Sequence, residues 1–385
     1  MHRTDPSHKS QKINCIEANT NNEKTENISE LANLTSNLNI LLEKESNGAF
    51  IRSKSKWCEK GEKCNRFFLN LENQRQCNNV IKEVKNENGR TIKNDVEILK
   101  EISKYYENLF SSKTVENNIN MEEYLSSLKI SDKLTEKDKL FCDKAITEDE
   151  LQTAISKLHT GKSPSLDGLT PEFYKHFWPI LKQPFCNMLN ETFSKGHLPH
   201  TLTTAVVTLL YKKDDKCLLK NYRPISLTNY DYKIIAFVLS ARMQKVIHKL
   251  ISNAQTAYIK SRFIGNNVRL ISDVIDYSEK FNMPGLILSL DFEKAFDTIN
   301  WRFMFKCLKT FNFGHNFINW VRILYSNSNL VVKNNGFISR KVNLERGLRQ
   351  GCPLSAILFI LCVEILALKV KSNTKTKGFS IKNNE

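Results

Sequence analysis

The spacing of apolar residues outlines the first elements of the chain. Residues 1–27 are polar and lack apolar periodicity, which predicts a disordered tail. Alternation around Asn88-Gly89 predicts a β-hairpin, and helical spacing runs from Asp95 to Phe110. Between residues 28 and 50 the apolar residues recur at helical spacing and predict an amphipathic helix; they include Leu31, Leu34, Leu38, Leu41 and Leu42.

Capping residues place the start of three helices. Thr147 is followed three residues later by Glu150, the pattern of a capping box, so a helix is predicted to begin after Thr147. Pro171 suits the first position of another helix, with Thr170 as its cap. Pro353 is predicted to open an apolar helix, "LSAILFILCVEILALKV".

Short apolar runs predict strands between the helices. "TTAVVTLLYKK" is rich in β-forming residues, and "NYRPISLTNYDYKIIAFVLSARMQKVI" predicts a short strand that leads into a long helix. After Met283-Pro284-Gly285, "LILSLDF" predicts a buried strand, and "AFDTINWRFMFKCLKTF" predicts a helix. "LVVKNNGFISRKVNLER" predicts a hairpin at Asn335-Gly336. The mixture predicts an α+β protein.

Composition adds a bias in charge to this picture. With 385 residues, of which 41% are hydrophobic, most of the chain should fold. The net charge of +16 fits a polyanionic partner such as nucleic acid or an anionic membrane surface, but a Lys/Asn-rich bias explains it equally well. Residues 55–75 mix bases and aromatics, which fits nucleic-acid contact and a basic-faced helix that packs inward about equally.

Cysteine usage and hydropathy bear on location. The ten cysteines include no C-x-x-C pair, which indicates reduced thiols rather than a zinc site. No apolar segment follows the polar start, and the longest apolar run, Ala356 to Val363, is too short to span a bilayer. We therefore expect an intracellular protein of the nucleus or cytoplasm, neither secreted nor inserted in a membrane.

Asp291 is the first candidate for chemistry. A carboxylate at the end of a buried strand must be hydrated, paired or bound to metal to offset its desolvation. Mg²⁺ prefers oxygen ligands, and two such ions can clamp the attacking and leaving oxygens of a phosphoryl transfer. The alternative is that Asp291 caps the following helix or pairs with a base, and spacing alone favours this structural role.

Five sequence blocks resemble one known family. "GKSPSLDGLTPEFYK", "NYRPISLTNYDYKIIAFVLSARM", "QTAYIKSRFIGNNV", "LSLDFEKAFDTINW" and "RGLRQGCPLSAILF" occur in the order of similar blocks in the reverse transcriptases of LINE-type non-LTR retrotransposons. The resemblance runs from about Trp57 to the last residue. Any single block would be weak, whereas five in order are specific.

The resemblance implies an architecture. It predicts a right-hand polymerase, with a mainly helical N-terminal extension at residues 28–145, fingers at 146–282 and a partial palm at 283–385, and with no thumb. The implied activity is RNA-directed DNA polymerisation. The implied partners are an RNA template, a DNA primer and dNTPs, with Mg²⁺ as the cofactor.

The resemblance also assigns roles to individual residues. Asp291 matches the first catalytic aspartate and metal ligand, with the main-chain carbonyl of Phe292 as a second ligand. Phe296 matches the steric gate that crowds the 2′-hydroxyl of a ribonucleotide; its alternative is a core phenylalanine. Asp297, which follows the gate, is expected to cap a helix or to pair structurally rather than to bind metal.

Four further residues match the family's nucleotide site. Lys212 and Arg223 match bases of the fingers that grip a triphosphate, although each alone would pass for a surface base. Gln350 and Gly351 match the nucleotide-pocket turn, where a backbone without Cβ permits close approach and an amide contacts the incoming sugar or the template base.

The acidic partners of Asp291 are the gap in the resemblance. The family supplies an aromatic-x-Asp-Asp pair from a later hairpin, whereas Asp297 is the last aspartate of this sequence. Asp214-Asp215 lies upstream with the wrong spacing and is expected at a hairpin tip. Three glutamates follow Asp297, none at the family's position: Glu345, Glu364 and Glu385.

Two functional hypotheses follow from this gap. A lone carboxylate would hold Mg²⁺ weakly, so we expect the chain as given to be an inactive reverse transcriptase domain of a truncated retroelement copy. The alternative is a non-catalytic remnant that binds RNA or an RNA–DNA duplex through phosphates.

Overall fold

The computed structural model describes residues 80–112, 121–128 and 130–373, together with residues 375 and 378. These residues combine α-helices with β-strands, as the sequence predicts for an α+β protein. The predicted tail at 1–27, the predicted helix at 28–50 and the basic segment at 55–75 lie outside the described residues. Among the described helices, none combines the length and the apolar character needed to cross a membrane.

The elements of the described residues follow the chain in this order. The helices are α1 Asp95–Phe110, α2 Met121–Ser126, α3 Glu136–Asp143, α4 Glu148–Ser156, α5 Pro171–Lys195, α6 His200–Thr203, α7 Tyr230–Val246, α8 Gly265–Lys280, α9 Trp301–Thr310, α10 His315–Tyr325 and α11 Ser355–Lys371. The strands are β1 Val84–Lys85, β2 Thr91–Ile92, β3 Thr204–Tyr211, β4 Tyr222–Leu227, β5 Asn329–Asn334, β6 Phe337–Ile338 and β7 Val342–Asn343.

The main sheet has the strand order β4-β3-β5-β6, and β7 also pairs with β5. β3 and β4 form an antiparallel hairpin with Tyr211 opposite Tyr222, whereas β3 and β5 are parallel. Helix α1 packs on this sheet, and Ile98, Ile102 and Tyr106 share a core with strand residues. The sheet therefore holds the β3–β4 hairpin on a fixed support.

Three local predictions from turns and caps are confirmed, whereas helix α11 begins at Ser355 rather than at Pro353, and Thr170 precedes α5 without a side-chain cap hydrogen bond. β1 and β2 pair around Gly89, whose φ of +77° lies in the left-handed region that glycine tolerates. Thr147 and Glu150 form both bonds of the capping box. The β5–β6 turn at Asn335-Gly336 also has positive φ at both residues, which is typical of a two-residue hairpin.

The predicted buried strand "LILSLDF" is wrong in this structure. Residues 284–292 form no strand, and the exposed fractions of Leu286 and Leu288 are 91% and 72%. A strand is stabilised by ladder hydrogen bonds and by packing of its side chains, and no other described strand pairs with this segment. The apolar run indicates that the segment could form a strand. It does not indicate whether a second strand is available to pair with it.

The helix predicted from Ala295 begins later than expected. Residues 293–298 form a turn, in which Lys294 has a φ of +50°. Helix α9 starts at Trp301, where the side chain of Asn300 accepts a hydrogen bond from the Phe303 amide at 3.1 Å. Asp297 is therefore not the cap of this helix, which corrects the first of the two roles expected for it.

A buried guanidinium connects α7 to α3, to α4 and to the loop between them. Arg242 is 2% exposed and forms two hydrogen bonds with Glu150, at 2.8 and 2.6 Å. It also donates to the carbonyl oxygens of Cys142, Lys144 and Ala145. Although burial opposes it, the hydrogen bonds from Arg242 keep the pKa of Glu150 below its ordinary value.

We predict that Arg242→Met lowers the free energy of unfolding by about 3–5 kcal/mol, because it leaves a partly buried carboxylate and three carbonyls without their donor. Urea unfolding of both proteins measures this. Lys249→Ala is the matched control, since Lys249 forms an ion pair with Asp138 at 2.8 Å while 46% of its side chain stays exposed. Lys249→Ala should lower the free energy of unfolding by less than about 1 kcal/mol. Equal losses in the two variants would contradict the prediction.

Candidate functional site

An open cavity of about 570 Å³ brings three distant segments together. The β3–β4 hairpin supplies Lys212 and Arg223, the segment before α9 supplies Phe292 and Phe296, and the turn before α11 supplies Gln350 and Gly351. The structure therefore places six of the seven predicted site residues in the wall of one cavity. The seventh, Asp291, is exposed to solvent directly before this lining.

The hairpin fixes the two predicted phosphate-binding bases. Lys212 follows β3, and its amide donates to the Asn221 carbonyl at 2.9 Å. Arg223 lies in β4 opposite Leu210, exposed between the buried residues Tyr222 and Pro224. The antiparallel pairing of β3 with β4 thus brings both bases to the cavity.

The Gln350 turn is fixed by close backbone contacts. The Gln350 carbonyl accepts a hydrogen bond from the Ser226 amide of β4 at 2.8 Å. Gly351 has a φ of +107°, and a Cβ there would lie 2.8 Å from the Ser226 carbonyl oxygen. Both the conformation and the space exclude a side chain. The predicted need for a residue without Cβ at position 351 therefore has a structural cause, namely the close approach of β4.

The other side of the same turn contacts the segment before α9. Gly347 has a φ of +91°, and a Cβ there would lie 2.7 Å from the Asp297 carbonyl oxygen. The amide of Leu348 donates to the Phe296 carbonyl, and the Trp301 indole donates to the Gly347 carbonyl at 2.7 Å. The turn is held from both sides, which places Gln350 between β4 and residues 296–297.

Aromatic rings line the side of the cavity at Phe296. Its ring stacks on Phe359 of α11, with centroids 4.7 Å apart, and meets the edge of Tyr258 at 6.3 Å. Phe292 contacts Phe359 edge to face. Phe296 is half-buried, so it serves both the core and the cavity wall. The two interpretations of this residue are compatible.

Tyr258 reaches the cavity from a loop that an arginine holds in place. Arg262 donates to the carbonyl oxygens of Ser252 and Gln255 at 2.6 and 2.7 Å, and to that of Ile251 at 3.0 Å. Tyr258 itself has a φ of +58°, which is uncommon for a bulky residue. The sequence block "QTAYIK" marks this loop, but no local pattern indicates which residue faces the cavity.

Asp297 pairs with Gln350 across the cavity wall. The Gln350 Nε2 donates to the two carboxylate oxygens at 3.0 and 3.2 Å, and Asp297 is 3% exposed. Burial raises the pKa of Asp297 to about 6, and the Gln350 hydrogen bond and Lys294 limit the rise. The expectation of a structural partner is thus met, but the partner is 53 residues away.

Basic side chains dominate the cavity. Among the residues that line it, the only acidic one is Asp297. Lys212, Lys220 and Arg223 form no ion pair with an acidic residue in the described part of the chain. The cavity can therefore hold an anion of several charges. The bases that line it are Lys212, Lys220, Arg223, Lys294 and Arg349.

The described residues do not form a complete metal site. Asp291 offers one carboxylate and Phe292 one carbonyl, and in the described ranges no three His, Cys, Asp or Glu side chains cluster for a metal. Mg²⁺ needs six oxygen ligands in near-octahedral geometry. Because Asp291 is exposed, the argument from a buried strand fails, and its assignment as a ligand now depends on the family resemblance.

Three of the other acids considered in the sequence have structural partners among the described residues, and Glu385 lies outside those residues. Asp215 forms an ion pair with Lys85 at 2.9 Å, and Asp214 lies in the tip of the β3–β4 hairpin, as predicted. Glu364 is buried in α11 and accepts the Ser252 amide at 3.1 Å. Glu345 accepts the amide and hydroxyl of Ser112.

Sequence reasoning missed several lining residues. Lys220 lies in the same hairpin as Lys212 and Arg223. Its basic side chain, directly before the block "NYRPI", could have marked it as a candidate phosphate-binding residue. Arg349 precedes Gln350 but is 3% exposed, stacks over the ring of Tyr232 and donates to the Thr203 carbonyl. A buried stacked arginine has no local signature in the sequence.

Comparisons with known proteins identify a matching family and several relatives of the chain. Residues 211–380 match the family described as Reverse transcriptase (RNA-dependent DNA polymerase). The Transposon TX1 uncharacterized 149 kDa protein of Xenopus laevis is 34% identical over 322 residues, which are 84% of this chain and 24% of that protein. The Retrovirus-related Pol polyprotein from type-2 retrotransposable element R2DM of Drosophila melanogaster is 25% identical over 233 residues, 60% of this chain and 21% of that protein.

A third relative extends the comparison. The Retrovirus-related Pol polyprotein from type-1 retrotransposable element R2 of Popillia japonica is 26% identical over 234 residues, 60% of this chain and 32% of that protein. The chain thus spans between 21% and 32% of the length of these curated relatives.

The raised pKa of Asp297 predicts that the free energy of unfolding depends on pH. Its folded-state pKa, about 6, exceeds its ordinary value of 3.8, so the folded protein binds the proton more tightly than the unfolded chain and loses stability as pH rises through this window. Relative to Asp297→Asn, the wild type should lose about 2 kcal/mol of unfolding free energy between pH 4.5 and 7.5. Urea unfolding at both pH values measures this difference.

The control is Asp132→Asn, which changes an exposed carboxylate. It should leave the pH dependence of the wild type unchanged. A difference between wild type and Asp297→Asn that is the same at both pH values would contradict the prediction.

Proposed function

The chain carries a reverse transcriptase domain of the non-LTR retrotransposon type, spanning residues 211–380, and from this premise we propose that its basic cavity binds the incoming deoxynucleoside triphosphate. The observation that carries the proposal is the convergence of Lys212, Arg223, Phe296 and Gln350 on one cavity of about 570 Å³. Its volume suits a ligand of nucleotide size.

The hairpin bases are proposed to bind the triphosphate. A planar guanidinium can bind two phosphate oxygens at once, and an ammonium contributes a mobile point charge. Arg223 and Lys212 have no acidic partner among the described residues, so a phosphate does not have to displace one. The steric and electrostatic conditions for an anion site are both present.

The aromatic wall is proposed to select the sugar. Phe296 is wedged against Phe359 and Tyr258, so its ring cannot withdraw without breaking these contacts. A 2′-hydroxyl that approaches the ring would lose its hydration without gaining a partner. Phe296 thereby favours a deoxyribose over a ribose, while Gln350 and Gly351 bound the opposite side of the site.

The domain layout remains a proposal built on the same resemblance. Residues 28–145 are assigned to an N-terminal extension, 146–282 to fingers and 283–385 to part of a palm. An RNA template and a DNA primer are the proposed partners. Hairpin bases outside the cavity, Lys213 and Lys216, are exposed and suit contacts with phosphates.

A second candidate function is nucleotide and nucleic-acid binding without polymerisation by a polypeptide of these 385 residues. It is favoured because the described residues gather no set of ligands for a divalent metal, the kind of ion this family generally uses. Asp291 and the Phe292 carbonyl would be two ligands of a site that needs further oxygens. Primer extension on an RNA template separates the candidates, since incorporation that Asp291→Ala abolishes would favour the polymerase.

Titration with dGTP and dGMP tests the proposed site. Arg223→Ala should weaken dGTP binding about tenfold and leave dGMP binding nearly unchanged, because the removed hydrogen bonds contact the outer phosphates. Isothermal titration calorimetry measures both dissociation constants. The matched control is Arg302→Ala, which removes an exposed arginine of α9 outside the cavity.

The control should bind both nucleotides as the wild type does. Equal affinity of wild type and Arg223→Ala for dGTP, or equal losses in Arg223→Ala and Arg302→Ala, would rule out the hairpin as the triphosphate site.

A further inference from the structure

We propose that Asp297 is a positioning residue that fixes the side-chain amide of Gln350, so that Gln350 offers a hydrogen-bond acceptor to the bound nucleotide. This inference rests on the proposed function. It specifies that Gln350 accepts, rather than donates, the hydrogen bond that it forms with the nucleotide. It also gives a role to a buried carboxylate that the phosphate contacts do not use.

The geometry leaves one orientation of the amide. Both oxygens of Asp297 lie within hydrogen-bond distance of Gln350 Nε2, at 3.0 and 3.2 Å. An ionised carboxylate can only accept, so the nitrogen of the amide must face it and the oxygen must point away. A flipped amide would place two acceptors in contact, which is repulsive.

This orientation leaves the side-chain oxygen of Gln350 free to accept a hydrogen bond. Gln350 lines the cavity and is half-buried, and its Oε1 has no hydrogen-bond partner among the described residues. It is also not among the buried polar atoms that lack a partner, so it remains accessible to solvent. The backbone of Gln350 is held separately by Ser226, which leaves the side chain as the part that Asp297 controls.

Asp297 is itself held rigidly. Its amide donates to the Lys294 carbonyl at 2.8 Å, and its carbonyl oxygen packs against Gly347, where a Cβ would approach to 2.7 Å. The turn that contains Gln350 therefore contacts Asp297 through both its backbone and its side chain. A fixed acceptor on a fixed turn orients Gln350 before a ligand arrives.

The orientation of the Gln350 amide determines which kind of group on the nucleotide it can bind. An exposed carbonyl oxygen accepts from a hydroxyl or an N–H, and it disfavours another acceptor. On a deoxynucleoside triphosphate the donors are the 3′-hydroxyl and the N–H groups of the base. Comparison of dGTP with 2′,3′-dideoxyGTP, which lacks the 3′-hydroxyl, with dITP, which lacks the 2-amino group, and with N1-methyl-dGTP, which lacks the ring N1–H, distinguishes these sources.

The first test observes Gln350 without any nucleotide. In protein labelled with ¹⁵N at glutamine side chains, the Gln350 amide protons should exchange with solvent at least about tenfold faster in Asp297→Ala than in wild type. Asp297→Asn retains one acceptor oxygen and should restore slow exchange. Gln183, whose amide donates to Asn187 on the exposed side of α5, is the internal control and should not change.

The second test measures dGTP affinity in a double-mutant cycle. Gln350→Ala and Asp297→Ala should each weaken binding about five- to tenfold, and the double variant should be no weaker than either, because Asp297 acts through Gln350. Asp297→Asn should bind within about threefold of wild type. Wild type should bind at least one of the three analogues more weakly than dGTP, and Gln350→Ala should lose that discrimination.

The outcomes separate this inference from the proposed function. Unchanged exchange of Gln350 in Asp297→Ala, additive losses in the cycle, or equal affinity of wild type for dGTP and all three analogues overturns the inference. Failure of wild type to bind dGTP overturns the proposed function instead, and the exchange experiment then decides the pairing alone. If Asp297→Ala does not fold, Asp297→Leu, which keeps the branched shape without the polar atoms, replaces it in both tests.

Discussion

The candidate site depends on the turn at residues 347–351, which is held between β4 and the segment before α9. Two glycines allow it, because a Cβ at Gly347 or Gly351 would collide with a backbone carbonyl at 2.7 or 2.8 Å. The contacts join three stretches of chain that lie up to 139 residues apart in the sequence, from Lys212 to Gly351. The basic hairpin, the aromatic wall and the Gln350 amide share a cavity only because this turn approaches both neighbours so closely.

Local signals in the sequence were sufficient for most elements. The capping box at Thr147, the turn at Asn335-Gly336 and the long helix after "NYRPISL" each depend on residues a few positions apart, and the structure has all three. The segment "LILSLDF" shows the limit, because a strand needs a partner that its own sequence does not contain. The pairing of Asp297 with Gln350 has the same limit, since no local pattern links residues 53 positions apart.

The site residues also differ in whether the sequence or the structure identifies them. Nothing in spacing or composition would have joined Lys212 to Gln350, and the resemblance to a family supplied that grouping before the structure placed both in one cavity. For Asp291 the resemblance is still the main support, because the residue is exposed and its expected burial is absent. Lys220, Lys294 and Arg349 show the converse, since the geometry added bases to which the resemblance assigned no role.

The central claim is that this cavity binds a nucleotide, and photo-crosslinking tests it most directly. The protein is irradiated with 8-azido-dATP, digested and analysed by mass spectrometry to locate the modified peptides. We predict labelling within residues 211–224, 292–297 and 347–352, and competition by unlabelled dATP. Labelling confined to other described segments, such as α5 or α10, would contradict this prediction.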